Sequence, residues 1–137
     1  MNDVLIDTNI LVYAIDKGSS FHELTLNYLL NEEINLFTTS KNLSELLAVL
    51  TKKSAFNFPV YKALQFIEEV IDLMIILYPT DESFALFMSL IHKYEPRGSK
   101  VHDYEIASIG MAHSINTIFT GDRGDFKNIK ELYIIDL

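Results

Sequence analysis

Five short strand-like runs, separated by helical stretches, constrain the fold of this chain more than any other feature. They are Val4–Asp7, Asn35–Thr38, Met74–Tyr78, Thr117–Thr120 and Tyr133–Ile135. A brief, nearly continuous apolar run closed by polar residues reads as a strand covered on both faces. Between the runs the apolar spacing turns helical. Helices are expected over Asn9–Asp16 and Phe21–Leu29, from a Ser40 cap to about Ala55, and over Pro59–Asp72. Two more are expected from Thr80 or Asp81 to Tyr94 and over Asp103–Ser114, with Glu95–Lys100 as the clearest loop and a turn at Gly121–Gly124. Pro59 suits a first helical turn, where its missing N–H costs nothing. Strands joined through helices imply crossover units and a mostly parallel sheet. The expected fold is a small α/β sheet flanked by helices in three layers, as one domain over residues 1–137.

In open sheets of this kind ligands bind at the carboxyl ends of the strands. Val4, Leu5 and Ile6 run into Asp7 at such an end. A carboxylate there is costly to bury unless hydrogen bonds or a cation compensate it. Three further acids share its setting. Glu45 lies in the apolar stretch Leu43–Leu50, beside the stripe of Leu43, Leu46, Leu47 and Leu50. Its simplest alternative role is an ion pair with Lys41 or Lys52. Asp103 opens a helix of small and apolar residues, where an acid also suits the helix dipole. Asp122 follows the strand Thr117–Thr120, repeating the geometry of Asp7, and Asp125 lies three residues on, although a Gly-Asp-Arg-Gly turn would contain aspartate in any case.

Each acid has a local explanation, but their convergence on one sheet edge does not. Carboxylates without cysteine favour hard, oxygen-preferring cations such as Mg²⁺ or Mn²⁺ over zinc. The four histidines lack zinc-type spacing, and only His102 is placed near the acids. A net charge of −8, from 19 acids and 11 bases, argues against a nucleic-acid partner at face value. Acids gathered to hold cations remove that objection. Arg97, Lys100, Arg123, Lys127 and Lys130 are the positive residues near the acidic loops.

No apolar stretch approaches the ~20 residues of a membrane span, and Met1–Asp3 lacks the basic region of a signal peptide. A cytoplasmic location is expected, which the absence of cysteine suits. A P-loop is excluded, since Gly98-Ser99-Lys100 lacks the preceding glycine. An aspartyl-phosphate phosphatase would want a second Asp where Asn9 stands.

The segment Leu5-Ile6-Asp7-Thr8-Asn9, the acids Glu45 and Asp103, and the turn Thr120-Gly121-Asp122-Arg123-Gly124-Asp125-Phe126 together resemble the PIN domain of metal-dependent ribonucleases. Within that family the chain is most similar to the VapC toxins of prokaryotic toxin–antitoxin pairs, over essentially its whole length. The resemblance implies that Asp7, Glu45, Asp103 and Asp122 are the catalytic acids and hold one or two Mg²⁺ or Mn²⁺ ions. Asp125 would assist or substitute for Asp122, and Thr8, Asn9 and Thr120 would orient the carboxylates. It implies in-line attack of water on an RNA phosphodiester, leaving a 3′-hydroxyl and a 5′-phosphate. It also implies a homodimer and a cognate antitoxin covering the cleft, with apolar surface supplied by Phe21–Leu30 and Leu43–Phe66. The alternative is a non-catalytic or housekeeping PIN-like module that binds RNA or protein, without a cognate antitoxin.

Overall fold

The computed structural model describes residues 2–137; Met1, part of the N-terminal segment read above, lies outside it. The chain alternates as anticipated. Strand β1 (Asn2–Ile6) leads to helices α1 (Thr8–Ile15) and α2 (His22–Leu29), then β2 (Ile34–Thr39), α3 (Ser40–Thr51) and α4 (Val60–Leu73). Next come β3 (Ile75–Leu77), α5 (Asp81–Tyr94), α6 (Lys100–Ala112), β4 (Thr117–Thr120), α7 (Arg123–Phe126) and β5 (Tyr133–Asp136). The five strands form one sheet in the order β3-β2-β1-β4-β5, and every pairing is parallel.

Side-chain alternation along β1 divides the core between the two faces of the sheet. Val4 and Ile6 join Ile10, Leu11, Leu46, Leu50, Ile67 and Phe119 on one side. Leu5 joins Leu90, Ile106, Ile109 and Ile118 on the other. Val4, Leu5 and Ile6 are all buried, which is why the strand reads as an unbroken apolar run. Helices cover both faces, giving the three-layer α/β/α arrangement.

Several boundaries differ from expectation for local reasons. Thr39, not Ser40, caps α3; its hydroxyl accepts from the Asn42 amide while the Asn42 side chain accepts from Thr39 N–H. That helix ends at Thr51, and the chain then turns through Asn57, whose φ is +53°. Helix α6 begins at Lys100, three residues before Asp103, because Gly98 at φ +63° completes the preceding turn and releases the chain into a helix. The turn after β4 closes into the single helical turn α7.

The order of the strands fixes where a ligand can sit. The chain builds outward from β1 through β2 to β3, then returns to lay β4 and β5 on the other side. The crevice between the carboxyl ends of β1 and β4 is thus the switch point at which open α/β sheets bind ligands. Asp7 and Thr120 stand at those two ends.

Candidate active site

Asp7 extends the β1–β4 ladder, its N–H donating to the Phe119 carbonyl at 3.0 Å. Its side chain also caps α1, accepting from Thr8 N–H at 2.9 Å. Capping alone does not account for its surroundings. Oδ2 accepts from the Thr120 hydroxyl at 2.8 Å, across the switch point, and Oδ1 accepts from Asn42 Nδ2 at 3.3 Å. Despite these donors Asp7 has no ion-pair partner among the described residues. Burial pushes its pKa up from 3.8 to about 6, against the Thr120 and Thr8 hydrogen bonds and with help from Glu45 and Asp125.

The other acids arrive from three elements. Glu45, one turn into α3, accepts from the Thr8 hydroxyl at 2.8 Å. It makes no ion pair with Lys41 or Lys52: Lys41 binds Glu105 instead, at 3.0 Å. Asp103 comes from the first turn of α6, and Asp125 from α7, where the helical turn directs it inward. Together Asp7, Glu45, Asp103 and Asp125 line one cavity of about 340 Å³, with Thr8, Asn9, Val12, Tyr13 and Val49 on its other walls. Asp122 is exposed and does not line it. His102 is exposed as well and stays outside.

The loop that carries Asp125 is held from three directions. Asn9 Oδ1 accepts from Gly121 N–H at 2.8 Å. Arg123 Nε donates to Asp136 Oδ2 at 2.6 Å, tying α7 to β5. Lys100 Nζ donates to the Gly124 carbonyl at 3.0 Å, tying it to α6. Gly121 suits this packing because a Cβ there would stand 2.9 Å from the Tyr13 ring.

The electrostatics are those of acids confined without a neutralising partner. Burial comes first and the Asp125, Asp7 and Glu45 charges next in raising Asp103 to about 7, with Lys100 opposing. Asp125 is raised by burial and by Asp122, again with Lys100 opposing. Like charges at close range raise one another's pKa values unless a cation intervenes. Among the described residues, no three carboxylates or imidazoles stand close enough to form a ready-made ligand cage. The donor set nonetheless suits a hard cation, since the cavity offers carboxylate and hydroxyl oxygens and neither sulfur nor imidazole. Two larger depressions, about 510 Å³ each, open elsewhere, around Leu30 and Asp72 and around Asn2 and Tyr133. Neither collects more than two acids.

The PIN domain model matches residues 4–132. This chain belongs to the PIN domain family. The structural likeness has the same extent. VapBC2 from Rickettsia felis, bound to a DNA fragment of its promoter, superposes with a TM-score of 0.76 at 22% identity over 98% of each chain. FitAcB from Neisseria gonorrhoeae superposes at 0.67 and 20% identity, covering 97% of this chain and 96% of that one. VapC20 from Mycobacterium tuberculosis, described as a Sarcin-Ricin loop cleaving toxin, superposes at 0.72 and 10% identity, over 92% of this chain and 95% of that one. No curated protein sequence matches the chain. As a PIN domain, the chain carries at its switch point a cleft of four acids drawn from the end of β1, α3, α6 and α7.

Asn42 is a site residue that sequence reasoning missed. It is fully buried and donates to both Asp7 and Thr8. The Thr39-Ser40-Lys41-Asn42 pattern contains the capping signal that could have marked it, since the fourth residue of such a box turns back toward the helix start.

Proposed function

We propose that this PIN domain is a Mg²⁺- or Mn²⁺-dependent endoribonuclease and the toxin member of a toxin–antitoxin pair. One observation carries the reading: four carboxylates surround one cavity at the switch point, and none has a lysine or arginine within ion-pair distance among the described residues. Asp7, Glu45, Asp103 and Asp125 would hold the cation, with Asp122 beside Asp125 as a fifth acid. Such an ion would neutralise the acids, activate a water and polarise the scissile phosphate.

The chain's own residues supply the rest. The Thr120 hydroxyl and the first amide of α1, the Thr8 N–H, keep Asp7 oriented. The Thr8 hydroxyl does the same for Glu45. Lys100, with one hydrogen bond to a carbonyl and two N–H groups to spare, is the cation placed to receive a substrate phosphate. Arg123 is engaged by Asp136 and serves the loop instead. Hydrolysis breaks the P–O3′ bond and leaves a 3′-hydroxyl and a 5′-phosphate.

Support for an antitoxin comes from similar structures described as toxin–antitoxin assemblies, VapBC-5 from Mycobacterium tuberculosis and a complex from Klebsiella pneumoniae among them, and from an apolar groove between α1, α2 and α4. Leu11, Leu26, Leu29, Leu30, Phe66 and Leu73 line it, and Leu30 and Leu73 are exposed to solvent there. A homodimer and a cytoplasmic location belong to the same reading. No helix among the described residues is long and apolar enough to cross a membrane.

The decisive experiment incubates the purified chain with total RNA and Mn²⁺ or Mg²⁺, then maps the new ends. Cleavage that stops with EDTA and with Asp103→Asn, in a variant that keeps its circular dichroism, is expected. Undiminished cleavage by Asp103→Asn, or none by the wild type with either metal, would overturn the proposal in favour of a non-catalytic module.

A further inference from the structure

We propose that Asn42 is a positioning residue of this site, whose side-chain amide holds Asp7 directly and Glu45 through Thr8 in the orientation that receives a cation. The inference rests on the nuclease reading above and adds a residue to it. Asn42 lies in the first turn of α3, three residues before Glu45, with its side chain fully buried. All its hydrogen-bonding capacity is used. Oδ1 accepts from Thr39 N–H at 3.3 Å and from the Thr39 hydroxyl at 2.6 Å. Nδ2 donates to Asp7 Oδ1 at 3.3 Å and to the Thr8 hydroxyl oxygen at 2.9 Å.

That arrangement permits only one orientation of the amide. Turned over, Oδ1 would face the Asp7 carboxylate and Nδ2 would face the Thr39 N–H, setting acceptor against acceptor and donor against donor. The orientation in turn sets the direction of the Thr8 hydroxyl. Thr8 has one proton; because its oxygen already accepts from Asn42, that proton is free for Glu45 Oε2 at 2.8 Å. Polarised bonds thus run from Asn42 directly to Asp7 and through Thr8 to Glu45. Groups that hydrogen-bond metal ligands in this way orient them and govern metal affinity. Helix capping does not need these donors, because the cap uses Oδ1 and the backbone N–H of Asn42.

The test separates capping from positioning. Mn²⁺ binding is titrated calorimetrically on the full chain for the wild type, Asn42→Ala, Asn42→Leu and Thr39→Ala, and kcat and KM are measured on a cleavable RNA. Positioning predicts that Asn42→Ala weakens Mn²⁺ binding about 10- to 100-fold and lowers kcat, while KM for RNA stays within about twofold. Thr39→Ala, which weakens the cap but keeps both Asn42 donors, should lose thermal stability with Mn²⁺ affinity nearly unchanged. Should Asn42→Ala not fold, Asn42→Leu keeps the branched shape without the donors and decides the matter. Wild-type Mn²⁺ affinity in either folded variant, or an equal loss in Thr39→Ala, overturns the inference alone. A wild-type chain that binds no Mn²⁺ overturns it together with the nuclease reading.

Discussion

Replacing Asp7 by Asn should make the metal-free protein more stable while removing the site. The rise in the Asp7 pKa from 3.8 to about 6 means that the folded protein binds its proton more tightly than the unfolded chain does. Below about pH 4 both states are protonated and nothing is lost. Between pH 4 and 6 the unfolded chain ionises first, so stability falls as pH rises. Above pH 6 the full cost, about 3 kcal/mol, is present. Asparagine avoids it and fits the same partners. Its Oδ1 can accept from Thr8 N–H and Asn42, as the carboxylate does. Its Nδ2 can donate to the Thr120 hydroxyl, which then turns its own proton toward the Asp122 carbonyl, now 3.5 Å away. Allowing for that weaker bond, a gain of roughly 1–3 kcal/mol is expected at pH 8 in EDTA, or roughly 3–9 °C in melting temperature for a chain of this length. The variant should also lose less stability between pH 4 and 6, with a residual slope from Asp103 and Asp125, whose pKa values are raised too. Saturating Mn²⁺ should reverse the order, since ligand at about 1,000 times its Kd adds about 4.1 kcal/mol to the form that binds it. Melting curves by circular dichroism across pH, with EDTA and with Mn²⁺, measure all of this. An Asp7→Asn protein that melts at or below the wild type at pH 8 in EDTA, with the same pH slope, would refute the reasoning.

Other consequences are independent of that one. Asp125→Asn should lower kcat/KM for RNA on the order of 100-fold, whereas Asp122→Asn should cost less than about tenfold; the reverse ranking would move the fourth acid to Asp122. Lys100→Met should raise KM and reduce the log–log salt slope of RNA binding by about 0.7, the value of one phosphate contact on a single strand; an unchanged slope would assign Lys100 to holding the Gly124 carbonyl alone. Gly121→Ala places a methyl group 2.9 Å from the Tyr13 ring, so a loss of about 1–3 kcal/mol is expected in thermal or urea unfolding. A Gly121→Ala protein as stable as the wild type would show that Tyr13 yields freely.

The fold was legible because its strands are covered on both faces. Val4-Leu5-Ile6 and Ile118-Phe119 are buried on both sides of the sheet, so they appear in the sequence as apolar runs that end abruptly in polar residues. The same abruptness made Asp7 visible. Helix starts were less legible, for physical reasons that differ from case to case. Thr38, Thr39 and Ser40 can each serve as a cap, and only the pairing with Asn42 selects Thr39. Ser99 and Asp103 are both residue types that cap helices; α6 starts after Ser99, following the left-handed turn at Gly98, and so carries Asp103 within its first turn. Whether Asp122 or Asp125 faces the cavity depends on α7 closing as a helical turn, which Arg123 ties to Asp136 on β5. That contact spans two elements and leaves no periodic trace. Asn42 is hidden for a different reason: its partners Thr8 and Asp7 lie 34 and 35 residues away, a separation that leaves no local pattern in the sequence.

The donors around Asp7 sharpen what its charge is for. Thr8 N–H, Asn42 and Thr120 could all be served by an amide side chain, and as an N-cap Asn is the equal of Asp. A carboxylate in the same place is harder to bury, and Glu45 and Asp125 make it harder still. The surrounding sequence does nothing to relieve this. The lysines and arginines that form ion pairs, Lys41, Lys93 and Arg123, spend their charges on Glu105, Glu131 and Asp136. Lys100, which does lower the pKa of Asp103 and Asp125, is bonded to a carbonyl. A structural cap would not need these acids to stand together, each raising the cost of ionising the next. The one thing at position 7 that asparagine cannot supply is a negative charge, and the partner that would use four such charges at one sheet edge is a small, hard cation.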